Sequence, residues 1–307
     1  MTTQLIAATL TDHGPIGFDP ALPTLSELLA GPGHRRVVGY RPGSRCTVRV
    51  EHEGEVRYAR VVASGGEQLH LEAVRVWLAW EEGRLGFFVP RPLGYNRGLK
   101  AVWQGELAGD PVLPELYGDG GIPLALRIGY AAGSVVDSGL HPHLHSDAAD
   151  HFTEATRRCL ELRGIMPGLA SMIHELLGKL WIVHVTTAER AAWPIQGDLR
   201  PARWLKSEVG LGLAHCERFA LGDPEFDAAT FIAGVDADGG PPEVCEAFLA
   251  GYEDAAGTLD QRLVEAYRAQ VRVGELVEAA RAMRPDGDRW AELHLRHILT
   301  DLGRALP

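Results

Sequence analysis

One stretch constrains this chain more than any other. Pro194-Ile-Gln-Gly-Asp-Leu-Arg-Pro-Ala-Arg203, with its echo Ala214-His-Cys-Glu-Arg-Phe-Ala-Leu-Gly-Asp-Pro224 and Asp227, interrupts a half that otherwise reads as helices. Apolar residues at i, i+3, i+4 spacing predict helices over 122–136, 148–163, 168–185, 242–256, 259–283 and 289–306. The interruption holds only short β-like runs, near Trp204 and over 209–214.

The first hundred residues read differently. An irregular lead-in over 1–24 runs into Thr24 followed by Glu27, the pattern of a short capped helix that 31–33 ends. Alternation and β-branched runs predict strands over 36–40, 46–52 and 56–62. Glu53-Gly54-Glu55 is a hairpin signal, and 41–45 joins the first two strands. A helix follows over 67–80, with Leu71, Val74 and Leu78 on one face. Residues 87–95 and 98–104 supply two more strands. The expected organisation is a small N-terminal lobe over 1–103 and a hinge with a helical C-terminal lobe over 104–307.

The bulk properties exclude several classes. The chain has 307 residues, 46% of them hydrophobic and 23% charged, which suits a soluble globular protein with substantial cores. A net charge of −11 carries no footprint for nucleic acid or an anionic membrane. No apolar run is long enough to span a bilayer, and the first residues lack the basic region of a signal peptide. Cys46, Cys159, Cys216 and Cys245 are widely spaced, which argues against a disulfide framework. A cytoplasmic protein is expected, and abundant Ala, Gly, Arg and Pro with little Lys fit a GC-rich bacterial genome. The alternating histidines of 141–145 have a metal reading, but the run contains Pro142 between helices and reads better as a solvated loop.

The two motif blocks resemble the catalytic loop and metal-binding segment of the aminoglycoside phosphotransferase / choline-kinase-like family. There the first block reads roughly H-G-D-L-H-P-x-N and the second I-D-F-D…G-D-P-x-x-D. The resemblance implies an α+β, bilobal protein-kinase-like fold: a small β-rich N-lobe with one helix and a larger, mainly helical C-lobe. It implies that Asp198 accepts or orients a substrate hydroxyl's proton, although Asp198 has the alternative of bonding only its own loop. Gly43 and Ser44 fall in the turn that covers nucleotide phosphates, with an ordinary hairpin turn as the other reading. Arg60 matches the phosphate-binding Lys of the third strand, and Glu72 its helix partner. Asp223 and Asp227 match residues that fix loops and cap the following helix.

The departures fall on reactive positions. Gln196 and Arg200 replace histidines. Arg203 stands at the metal-binding Asn, where a guanidinium has no lone pair for a metal but can bind phosphate. His215 replaces a metal-chelating Asp, and Glu217 keeps the second acidic position; with Asp198 they form a candidate manganese or zinc set, against the reading of a packed, silent histidine. Ligands have changed while the scaffold remains. The leading expectation is therefore a pseudokinase binding an anionic ligand, a peptide or a partner protein in its inter-lobe cleft. The alternative is an active phosphotransferase using ATP with Mg or Mn on a hydroxyl of a small molecule or precursor peptide. A third reading makes His215 an acid/base in different chemistry.

Overall fold

The computed structural model describes residues 19–187, 190–215, 218–282 and 287–306. The described residues gather into two compact units, one of residues 19–82, 88–108 and 213–215, the other of residues 83–87, 109–187, 190–212, 218–282 and 287–306.

The first unit is built on five strands: β1 His34–Arg41, β2 Arg45–His52, β3 Glu55–Val62, β4 Pro92–Asn96 and β5 Ala101–Gly105. They form an antiparallel sheet in the order β1-β2-β3-β5-β4. Successive side chains point to opposite faces, so register decides what each face carries. Cys46 and Val48 of β2 lie beside Val61 and Ala59 of β3, which lie beside Ala101 and Trp103 of β5. This apolar face packs with Leu22, Leu25 and Leu28, the last two from helix α1 Leu25–Ala30. The other face carries Arg45, Thr47 and Arg49 of β2 and Tyr58 and Arg60 of β3.

Helix α2, Gly66–Glu81, follows β3 where the spacing predicts it. Two local expectations differ. Thr24 makes no side-chain cap on α1; its hydroxyl donates instead to the Leu99 carbonyl at 2.5 Å, tying the helix to the β4–β5 connection. Residues 87–89 form no strand of the sheet: Phe88 makes only an isolated bridge, its carbonyl accepting from the Leu213 amide at 2.9 Å, while Phe87 meets Trp204 and Phe88 meets Trp80 at centroid separations of 5.4 and 5.3 Å.

The second unit is mainly helical: α3 Leu113–Leu116, α4 Gly121–Gly133, α5 Ala148–Ile165, α6 Ala170–Thr186, α7 Pro224–Asp238, α8 Pro242–Ala256, α9 Gln261–Arg281 and α10 Gly287–Ala305. One core joins α5, α6, α9 and α10 through Cys159, Leu162, Ile173, Leu176, Val273, Leu276, Leu295 and Ile298. Each fully buried aliphatic side chain of this kind contributes about 1.5–3 kcal/mol. Helices α4 and α8 cross so closely that a Cβ on Gly129 would lie 2.0 Å from the Phe248 carbonyl oxygen, and one on Gly251 2.0 Å from that of Leu126.

Short strands place the two motif blocks. They are β6 Asp110–Pro111, β7 Leu144–Ser146, β8 Trp193–Ile195, β9 Trp204–Ser207, β10 Gly210–Leu213 and β11 Ala220–Gly222. β11 pairs antiparallel with β8 and parallel with β7, setting Ala220 beside Ile195. The histidine run expected as a loop therefore enters a strand, since Leu144 and His145 pair with Ala220 and Leu221. β8 leads directly into Gln196, and β11 into Asp223 at the start of α7. None of the described helices is long and apolar enough to cross a membrane.

Candidate functional site

The loop after β8 is fixed by its own backbone. Four consecutive amides each find a side-chain acceptor. Gln196 and Gly197 donate to the Asp227 carboxylate at 2.7 and 2.6 Å. Asp198 donates to Gln196 Oε1 at 2.7 Å, and Leu199 to Thr230 Oγ1 at 2.8 Å. Buried amides left unpaired would each cost about 1–3 kcal/mol, so this loop has one conformation. Gly197 is required there: its φ is +81°, and a Cβ would lie 2.7 Å from the Arg218 carbonyl oxygen. Asp227 is fully buried, and burial pushes its carboxyl up to about 7 despite the two amides that favour its charged form.

Asp223 does not cap α7 with its side chain; it accepts a hydrogen bond from the Tyr267 hydroxyl. Trp204 is fully buried and donates from Nε1 to the Leu199 carbonyl at 3.2 Å, closing the loop from its other side.

The carboxylate of Asp198 lies at the loop's centre with 2% of the residue exposed. Arg200 grips it bidentately, Nε to Oδ1 and Nη2 to Oδ2, both at 2.8 Å. Arg203 Nη2 reaches Oδ2 at 2.6 Å, and Arg218 Nη1 stands 3.6 Å from the same oxygen. Burial alone would raise this carboxyl, but the Arg200 hydrogen bonds and the charges of Arg200, Arg203 and Arg218 outweigh it and hold it below the ordinary aspartate range. Asp198 is thus ionised and occupied: each oxygen already accepts a charge-assisted bond. The Arg203 side chain is mostly enclosed, whereas those of Arg200 and Arg218 are about half exposed.

The remaining candidates lie in the first unit. Arg60, buried on the polar sheet face, donates from Nε to Thr47 Oγ1 at 3.3 Å, and its Nη2 is 3.0 Å from His215 Nδ1. A guanidinium can only donate, so Nδ1 accepts and the ring proton sits on Nε2. Glu72 accepts from Gln68 at 3.0 Å and Arg75 at 2.6 Å on its own helix. Gly43, at φ +70°, gives its amide to the Asp19 carboxylate at 2.9 Å, and the Ser44 amide closes the turn onto the Arg41 carbonyl at 3.1 Å. That same Asp19 carboxylate is held below its usual range, chiefly by the Gly43 amide. The two amides expected to cover phosphates are committed to partners within the chain.

These residues do not fit the magnesium ion that the family resemblance implies. Magnesium takes oxygen donors. Asp198 presents both oxygens to guanidiniums, Arg203 has none to offer, and the Nδ1 lone pair of His215 faces Arg60. Among the described residues no group of three or more His, Cys, Asp or Glu is placed to hold a metal ion. Glu217 lies outside the described residues.

Sequence reasoning missed two members of the cluster. Thr230 is one helical turn beyond Asp227, so i, i+3 spacing was the available signal. Arg218 returns beside Asp198 through the chain reversal that pairs β11 with β8, which no local pattern announces.

No protein-family model and no curated protein matches this sequence. Solved structures do match. A spectinomycin phosphotransferase in complex with ADP and spectinomycin superposes with a TM-score of 0.63 at 10% identity, covering 92% of this chain and 97% of that one. The choline kinase of Streptococcus pneumoniae gives 0.62 at 12% identity, covering 91% and 96%. The GDP complex of an aminoglycoside 2'-phosphotransferase gives 0.60 at 16% identity, covering 93% and 98%. With a β-sheet unit preceding a mainly helical one, the chain has the α+β, bilobal, protein-kinase-like fold of the aminoglycoside phosphotransferases and choline kinases.

Proposed function

We propose that this protein is a pseudokinase: it keeps the phosphotransferase fold and uses an arginine cluster to bind an anionic ligand without magnesium. The convergence of Arg200, Arg203 and Arg218 on Asp198 carries the reading. Phosphoryl transfer needs a carboxylate open to the attacking hydroxyl and metal ions on the phosphates. Here the carboxylate is sequestered, and guanidinium charge stands where metal charge is needed. Three arginines outnumber the one aspartate they converge on, with Glu275 and Asp238 also near Arg200. A phosphate or carboxylate on the ligand would take over guanidinium hydrogen bonds from Asp198, reaching them through the half-exposed Arg200 and Arg218.

The second reading, an ATP-dependent phosphotransferase acting on a hydroxyl, is favoured by the retained Asp198 and by the GDP and ADP in the matching solved complexes. Calorimetry and thermal shift with ATP, ADP, GTP and inorganic phosphate, each with and without Mg²⁺ or Mn²⁺, separate the two. Metal-independent binding that weakens by about tenfold or more in Arg203→Ala is expected, the loss of a charge-assisted bond of about 1.4 kcal/mol or more. Magnesium-dependent binding with transfer of the γ-phosphate would establish the second reading instead. Failure of every nucleotide and of inorganic phosphate to bind would remove the anionic ligand.

A further inference from the structure

The arginines of the first sheet have no role in the carboxylate cluster, and their arrangement is unusual. β1 is an edge strand, and among the described residues nothing pairs with its outer side. None of its eight residues is buried. Its register places Arg36 directly opposite Arg49, and Arg41 directly opposite Arg45. Like charges facing each other across a ladder are destabilising. All four side chains belong to the face that also carries Arg60, because a register irregularity between Val37 and Gly39 returns Arg41 to the side of Arg36. Arg49 is offset by Glu51 at 2.9 Å and Glu106 at 4.0 Å. Among the described residues, no carboxylate pairs with Arg36 or Arg41, both exposed. In a chain of net charge −11, this concentration of arginine along one open edge is a local reversal of sign.

We propose that β1 is the docking edge for an acidic, extended peptide segment, which adds to the sheet as a sixth strand with its carboxylates at Arg36 and Arg41. An open edge offers alternate amides and carbonyls to an incoming backbone, and side-chain charge selects what that backbone carries. Because of the irregularity, Arg36 and Arg41 stand opposite Arg49 and Arg45, four residues or about 13 Å apart along β2, the reach of about four residues of a partner. The same arginines disfavour a second copy, since β1 against β1 would set arginines near arginines. The proposal does not depend on the Arg200–Arg203–Arg218 reading.

The test is fluorescence anisotropy with three labelled probes. They are Thr-Glu-Val-Glu-Val-Glu-Thr, its Lys-for-Glu counterpart, and the Glu peptide N-methylated at alternate residues. The Glu peptide is expected to bind saturably and to weaken as salt shortens the screening length. The Lys peptide and the N-methylated peptide are expected not to bind. Arg36→Glu with Arg41→Glu is expected to weaken binding by at least about tenfold, with the thermal midpoint and the nucleotide response kept. Retention of the nucleotide response separates failure of this proposal from failure of the arginine-cluster reading. Should the charge reversal fail to fold, Arg36→Gln with Arg41→Gln gives the same expected direction. Equal binding of the N-methylated peptide, or of heparin in competition, would overturn strand addition in favour of a general polyanion surface. No binding of the Glu peptide, or a concentration-dependent dimer lost on charge reversal, would overturn the acidic-peptide assignment.

Discussion

At the scale of single residues, the buried charges around Arg200 have measurable consequences. Glu275 on α9 is pushed up to about 7, first by burial and also by Asp236 and Asp238, against the pull of Arg200 and Arg272. Unfolded, the same group titrates near the ordinary value of 4.5. Between those two values the folded state keeps a proton that the unfolded state has released. Stability from this group is therefore present at low pH and falls as pH rises from about 4.5 to about 7. Asp198 acts oppositely, its lowered value contributing stability that is lost as the medium becomes acidic. Glu275→Gln should remove the first slope without touching the second. Urea unfolding of both proteins across that range checks it: the variant gains on the parent as pH rises, and a constant difference would contradict the buried-acid account.

At the scale of elements, the crossing of α4 and α8 depends on residues with no side chain. Gly129 and Gly251 let one helix backbone rest against the other, with a hypothetical Cβ only 2.0 Å from a carbonyl oxygen on each side. Gly251→Ala gains helix propensity of about 1 kcal/mol in isolation. Here the helices must separate, and overpacking costs about 1–3 kcal/mol. Chemical denaturation should show net destabilisation, and a stabilised variant would mean that the crossing relaxes freely.

Legibility at this scale tracked amphipathicity. Helices α4, α5, α6, α8, α9 and α10 have a wet face and a dry face, so their spacing announced them within a few residues. Helix α7 is buried nearly all round, from Pro224 through Val235, and shows no stripe to read. Its place was inferred only from Gly222-Asp223-Pro224 and Asp227. Gly197-Asp198 and Asp227 were legible as a loop and its support. Long-range pairing hid the rest: Thr230 beneath the Leu199 amide, Arg218 beside Asp198, and Asp19 on the turn at Gly43. The identity of Arg203 was visible in the sequence, and its partner was not.

At the scale of the whole molecule, the chain keeps a phosphotransferase fold while its key carboxylate serves as a counter-ion. A carboxylate waiting for a substrate proton is a stability liability, and replacing it usually leaves the fold unharmed or better off. A buried counter-ion to three guanidiniums is the reverse. Removing its charge strands the enclosed Arg203 and unbalances Arg200, and breaking a buried pair of this kind costs about 3–5 kcal/mol. The decisive measurement is therefore the unfolding free energy of Asp198→Asn relative to the parent, near neutral pH. A loss of about 3–5 kcal/mol is the predicted result. Unchanged or increased stability, together with loss of ATP turnover present in the parent, would show a working catalytic base and contradict the account.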